Sequence, residues 1–348
     1  MQDFDRLDAT DSALVHALQI SPRAGWAKIA EVLGLDAVTL ARRWKRLSTR
    51  GAAWISCYPG PALAAAGEGC LAFIEVDCAN GQLLDVADRL ARQPMVSTVE
   101  HVSGDRDLLL TVMTTDLGAL SRWVTQALGS LPGVTSARTQ LAGAIYTEGS
   151  RWRLRVLAPA QVARLSEGRQ ARERAAGPAL SELDRRLIVA LSADGRASYT
   201  ALADACGTSV DTVRRRTKRL LDSGAVQIRC EIARPLSERP VAAVLWAQVP
   251  SDTVEHTARV IAGMRDIRLC AGITGRHNLL VIAWVRSVDD VQRLETRVTG
   301  KAPGLVIGDR AVALWPVKLS GHLLDEDGYR RGTVPIDGWR AAAAGRGG

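Results

Sequence analysis

The sequence predicts an α+β fold in which one two-domain unit occurs twice in a single chain. Three observations carry this expectation. Residues 7–52 align without a gap on 180–225, matching Asp11 with Asp184, Leu14 with Leu187, Arg23 with Arg196, Gly34 with Gly207, Arg43 with Arg216 and Gly51 with Gly224. Each copy reads as three short helices and a strand, and its third helix is strongly basic. After each copy, apolar patterning runs in the order strand, helix, strand, strand, helix, strand.

In the first copy, apolar residues at Ala13, Leu14, Ala17 and Leu18 form one stripe of a helix over 11–20. A break at Ser21-Pro22 precedes a second helix over 26–33, with Trp26, Ile29, Ala30 and Leu33 inward. Gly34 ends it, since a residue without Cβ suits the left-handed helix cap. The third helix opens at a capping residue, Asp36, as its counterpart opens at Ser209. Leu40, Trp44 and Leu47 line its inner face, matched by Val213, Thr217 and Leu220. Helix, short glycine turn, helix is the helix-turn-helix pattern, and the strand after Gly51 or Gly224 suggests a winged variant.

The segments 70–77, 82–92, 96–102, 107–114, 117–128 and 134–145 then give β-α-β-β-α-β, the ferredoxin-like order. The second copy repeats it over 241–249, 253–264, 267–274, 278–285, 288–298 and 305–314. The expected domains are 1–58, 66–148, 180–232 and 238–320, with a linker or partly helical spacer over 149–179 and a tail over 321–348 whose end is expected to be disordered.

A net charge of +8 suits a polyanionic partner without identifying one. The start, MQDFDRLDATD, lacks a signal-peptide pattern, and no apolar run approaches the roughly 20 residues of a membrane span. The expectation is a cytoplasmic protein with no membrane contact. The cysteines Cys57, Cys70, Cys78, Cys206, Cys230 and Cys270 are scattered with no CxxC pair, as befits reduced thiols, so no metal and no cofactor are expected. No nucleophile triad, Walker loop or paired-carboxylate spacing points to a hydrolase or a nucleotide-using enzyme.

The basic helices carry the chemistry. A helix in the major groove needs polar residues near its amino end for base edges and cations along its flanks for phosphates. Val38, Thr39, Arg42 and Arg43 lie on the early turns of one, and Asp211, Thr212, Arg214 and Arg215 on those of the other. Lys45 and Arg46, with Arg216, Lys218 and Arg219, complete the basic set. One arginine of each set is expected to hold the fold through an internal pair. Asp11 and Asp184 are its candidate partners, although their reading as helix-start acids favoured by the helix dipole ranks first.

The ordered combination of Arg42-Arg43-Trp44-Lys45-Arg46-Leu47 with Gly51, Arg215-Arg216-Thr217-Lys218-Arg219-Leu220 with Gly224, and the hairpins Gly104-Asp105-Arg106-Asp107 and Gly275-Arg276-His277-Asn278 resembles the Lrp/AsnC (feast/famine) transcriptional regulators. That resemblance implies sequence-specific binding to double-stranded DNA. It also implies a regulatory (RAM-type) domain that dimerises through its sheet and binds an amino acid or a related effector. The ligand site it suggests comprises Gly104, Asp105, Asp107, Gly275, His277 and Asn278. The tandem copy looks like a covalently linked dimer, and family members form homo-oligomers. Asn278 stands where the pattern has an acid, so an effector ammonium would lose its charge partner there; Asp107 also reads as a turn-capping residue. Thr217 replaces Trp44, which predicts looser packing of the second basic helix.

The same architecture resembles siroheme decarboxylases, the alternative reading. Tetrapyrrole chemistry would call for histidines and aromatic residues around a large pocket. The histidines are His16, His101, His256, His277 and His322, each also readable as an ordinary strand or loop residue.

Overall fold

The computed structural model describes residues 6–167 and 179–339. Helices α1 (Ala9–Ile20), α2 (Trp26–Leu33) and α3 (Ala37–Thr49) form the first three-helix unit, followed by β1 (Ala53–Pro59). The Asp36 carboxylate accepts the Thr39 N–H at 2.7 Å, and Gly34 closes α2 at φ +67°. Leu14, Leu18, Ile29 and Leu40 are fully buried between the helices.

A short helix, α4 (Pro61–Ala65), leads to β2 (Cys70–Cys78), α5 (Leu83–Ala91), β3 (Val96–Val102) and β4 (Leu108–Thr114). Helix α6 (Leu117–Arg122) continues as a π-helical turn (Trp123–Leu128) into β5 (Val134–Thr147). After α7 (Pro159–Ser166), the second copy gives α8 (Glu182–Ala193), α9 (Tyr199–Cys206), α10 (Val210–Asp222) and β6 (Val226–Ile232). Its second domain is β7 (Val241–Gln248), α11 (Val254–Ala262), β8 (Ile267–Ile273), β9 (Leu279–Val285), α12 (Asp289–Lys301) and β10 (Val306–Leu319). Strands β11 (His322–Leu324) and β12 (Arg330–Thr333) follow.

The strand read as a wing pairs instead with its counterpart in the other repeat. β1 and β6 run antiparallel from Ala53 opposite Ile232 to Pro59 opposite Val226, a ribbon joining the two helix-turn-helix units. A reciprocal clasp reinforces it. Arg23 donates to the carbonyls of Gly195 and Ala197, and Arg196, its sequence match, donates to those of Pro22 and Ala24. Each guanidinium also lies over an aromatic ring of the opposite unit, Tyr199 at 4.9 Å or Trp26 at 4.1 Å.

The two ferredoxin-like sheets also join. β5 pairs with β8, and β10 pairs with both β3 and β7, so eight strands close in the order β10-β3-β4-β2-β5-β8-β9-β7. Closure removes the free sheet edges, and it meets the expectation that the sheets pair within one chain. Alternation divides each strand. Ala72, Ile74 and Val76 pack outward against α5, whereas Phe73 joins Leu109, Trp246 and Trp284 inside the barrel.

The segment expected as a spacer is partly fastened to the first unit. The His16 ring accepts the N–H groups of Val156 and Leu157 through Nδ1, Gln19 accepts that of Leu154, and Arg164 of α7 pairs with Glu31 at 2.5 Å. Residues 168–178 of that spacer, the acidic start over 1–5 and the expected disordered end over 340–348 lie outside the described residues. The described part of the tail runs to Trp339, with Ile336 fully buried.

This arrangement gives a pH dependence. Burial, with Arg153 and Arg155 nearby, pushes His16 down to about 4, and burial, with nearby Arg330, Arg229 and Lys318, pushes His322 down to about 3. The unfolded chain takes up these protons near pH 6.5 while the native state does not, so stability falls as pH drops from about 6.5 toward 4. Urea unfolding at pH 7 and pH 5 measures the loss, and His16→Gln, whose amide oxygen also accepts hydrogen bonds, reduces it.

Candidate nucleic-acid interface

Each basic helix is anchored by an acid at the start of its own unit. Arg43 bonds Asp8 and reaches Asp11 at 2.9 Å, and Arg46 also bonds Asp11. In the second repeat, Asp184 takes Arg216 at 3.0 Å and Arg219 at 2.5 Å and is completely buried. Burial opposes its ionisation, but hydrogen bonds from Ser181, Arg219 and Arg216 prevail and hold its carboxyl at about 2. The anchoring reading of Asp11 and Asp184 therefore holds beside the helix-start reading, since both acids also lie in the first turn of their helices. It takes two arginines from each basic set, where one was expected. Arg43, Arg46, Arg216 and Arg219 consequently serve the fold first, because among the described residues only they pair with those buried acids.

Other members of the set face outward. Val38 is 75% exposed at the first turn of α3, with Thr39 half-buried beside it. Arg42, Lys45 and Arg215 are exposed and have no ion pair among the described residues. Arg214 pairs with Asp211, and Lys218 with Asp222, one helical turn apart and exposed. Such pairs contribute only about 0.3–0.5 kcal/mol and can exchange their acid for a phosphate. Asp211 and Thr212 occupy the first turn of α10. The units are thus unequal: Val38 stands where the second presents Asp211.

Thr217 does not leave a loose site. It is fully buried, whereas Trp44 is only half-buried, but its hydroxyl lacks a hydrogen-bond partner among the described residues. A buried unpaired hydroxyl costs about 1–3 kcal/mol, so Thr217→Val should raise stability by about 1 kcal/mol in denaturant titration.

The hairpin residues assigned to a ligand are occupied structurally. The Asp107 carboxylate accepts the Cys78 N–H at 2.7 Å. The Asn278 amide accepts the Val249 N–H at 3.0 Å and donates to the Val249 carbonyl at 2.7 Å. Both tie a hairpin to the end of the adjacent strand, the structural role that the turn-capping reading gives Asp107. Gly104 and Gly275, at φ +97° and +116°, make the turns, and the half-buried His277 ring packs against Gly308. Asp105 is exposed, and its carbonyl accepts from Arg138 at 3.3 Å. Arg106 enters the junction between repeats, 4.3 Å over Trp246, 3.1 Å from Glu75 and bonded to Asp309.

A cavity of about 1280 Å³ opens beneath the β1–β6 ribbon. Phe73, Met113 and Trp284 line it from the strands, and Trp54, Tyr58 and Arg229 from the ribbon. The sequence reading singled out none of these. The available signal was charge inside apolar strands, namely Arg229 and Glu231 in VQIRCEI. Glu231 joins Arg229 and, at 2.9 Å, Arg268.

Paired helix-turn-helix units with exposed basic faces, carried on a closed ferredoxin-like barrel, form an architecture suited to a DNA-binding regulator. The model of the AsnC-type helix-turn-helix domain matches residues 7–48 and 180–221, and that of the Lrp/AsnC ligand binding domain matches 71–151. The chain thus carries the AsnC-type helix-turn-helix domain in tandem, together with an Lrp/AsnC-type ligand-binding domain. It is similar to an uncharacterized HTH-type transcriptional regulator of Pyrococcus furiosus, 28% identical over 41% of this chain and 97% of that one. It is likewise similar to the HTH-type transcriptional regulator FL11 of Pyrococcus horikoshii, 29% identical over 39% of this chain and 88% of the relative. In fold it is similar to the siroheme decarboxylase NirDL, solved with an iron-uroporphyrin III analogue, at a TM-score of 0.56 and 15% identity over 97% of this chain and 99% of that one.

Proposed function

We propose that this chain is a sequence-specific DNA-binding transcriptional regulator that responds to a small molecule and carries both recognition helices of a dimer on one polypeptide. The observation that supports it is the pairing of two outward basic helices through the β1–β6 ribbon and the Arg23/Arg196 clasp. Val38, Thr39, Arg42 and Lys45 serve one half-site, and Asp211, Thr212, Arg214, Arg215 and Lys218 the other. Base edges fall to the early residues and phosphates to the cations. Because the helices differ, the half-sites they read differ. A gel shift on the DNA upstream of its own gene, with and without a panel of amino acids, tests both parts. A shift altered by one amino acid is expected; no shift at near-physiological salt sinks DNA binding, and a shift indifferent to every amino acid sinks that effector class.

The cavity does not favour the decarboxylase reading. None of the described residues lining it is a histidine. Its arginines Arg229, Arg234 and Arg268 are offset by Glu100, Glu148 and Glu231, a poor match for a tetrapyrrole with eight carboxylates. Adding siroheme is expected to give neither a spectral shift nor a decarboxylated product.

A further inference from the structure

We infer that the barrel cavity is a binding site for one large, mostly apolar molecule with an acidic head, and that only the first repeat retains it. Matching the hairpin glycines Gly104 and Gly275 sets Ser97 against Arg268, Thr111 against Ile282 and Met113 against Trp284. At these inward positions the second repeat is bulkier and fills its half. Arg268 lies 3.7 Å over Trp284, which stacks edge-on with Trp152 at 5.1 Å. The first repeat keeps small or flexible side chains there, and the space opens on its side, bounded at the mouth by α4 and the tail residue Trp339. The chamber within the duplicated barrel is thus lopsided.

Its dimensions and donors define the occupant. At about 1280 Å³ the chamber exceeds the roughly 300–1,000 Å³ of drug-sized sites, so a free amino acid would leave most of the apolar wall wet. Two buried donors on the ribbon have no acceptor among the described residues: the indole N–H of Trp54, 2% exposed, and the Nε–H of Arg229, 8% exposed. A carboxylate or sulfonate placed beside either donor supplies its missing acceptor, whereas an entirely apolar guest leaves both unpaired at a cost. Phe73, Leu71 and Ile282 provide the wall for the apolar body. This site lies beneath the β1–β6 ribbon, and neither Gly104 nor Gly275 lines it.

The test titrates the full chain with anilinonaphthalene sulfonate, an aromatic sulfonate that fluoresces in apolar surroundings. Saturable binding of one dye per chain is expected. Thr111→Ile with Met113→Trp installs the second repeat's side chains and should weaken binding at least tenfold, with an unchanged melting temperature and an unchanged gel shift. If that pair fails to fold, Thr111→Ile alone should still weaken binding several-fold. No binding, unsaturable binding, or unchanged affinity in a folded variant overturns the site. Equal affinity for the neutral dye Nile red overturns the acidic head. Loss of DNA binding by the unmodified chain would bear on the regulatory function and not on this cavity, so the two fail separately.

Discussion

Asp184→Ala should destabilise the second helix-turn-helix unit by about 2–4 kcal/mol, because it leaves two guanidiniums facing a buried hole and removes a cap of α8. Asp184 is wholly buried and holds both Arg216 and Arg219, besides accepting the Ser181 N–H at 3.0 Å. The loss should reach the first repeat as well, since β6 is the only described partner of β1. Denaturant unfolding should show a lower midpoint, and DNA affinity should drop although Asp184 touches no phosphate. Asp184→Asn separates the contributions: it keeps the side-chain acceptor for Ser181 but removes the charge facing both arginines, so an intermediate loss is expected. A depressed carboxyl at about 2 against a usual 3.8 contributes stability above pH 4 that is lost as pH falls toward 2. That acid-range loss should vanish in either variant.

The second large effect is on DNA. Arg42→Ala, Lys45→Ala and Arg215→Ala together should weaken DNA binding on the order of 100-fold near 0.15 M salt while leaving the unfolding midpoint within about 0.5 kcal/mol. None of the three has an ion pair among the described residues, so nothing internal is lost. Each phosphate contact removed should flatten the dependence of log K on log salt by about 0.9. Fluorescence anisotropy across a salt series reads both quantities. Arg43→Ala with Arg216→Ala should behave differently, losing stability as well as affinity, because those side chains neutralise Asp11 and Asp184.

The contrast shows what the sequence could supply. Period and capping are local properties, so Asp36, Gly34 and the inward leucines placed the helices close to where they lie. The repeat pointed to the paired sheets, once resemblance suggested that such domains dimerise. Which arginine faces the solvent was not legible from the charge run, because Arg42 and Arg43 are adjacent and only the tertiary position of Asp11 separates them. The matched pair Arg23 and Arg196 was visible as identity, but its cross-donation to the opposite repeat depends on the β1–β6 pairing, which no local pattern specifies. The partner that each hairpin residue bonds was hidden for a similar reason. Asp107 and Asn278 both bond a strand end that is distant in sequence, and the second does so without a charge. The cavity was least accessible, because a hollow is defined by what the opposite wall fails to fill.

One chain with two different basic helices should read two unequal half-sites. Selection of bound sequences from random duplex DNA by the purified protein, near 0.15 M salt, addresses it most directly. An enriched two-part motif whose halves differ is expected, with one half losing its enrichment in Arg42→Ala Lys45→Ala and the other in Arg215→Ala. A perfectly palindromic motif, or no enriched motif at all, would contradict it.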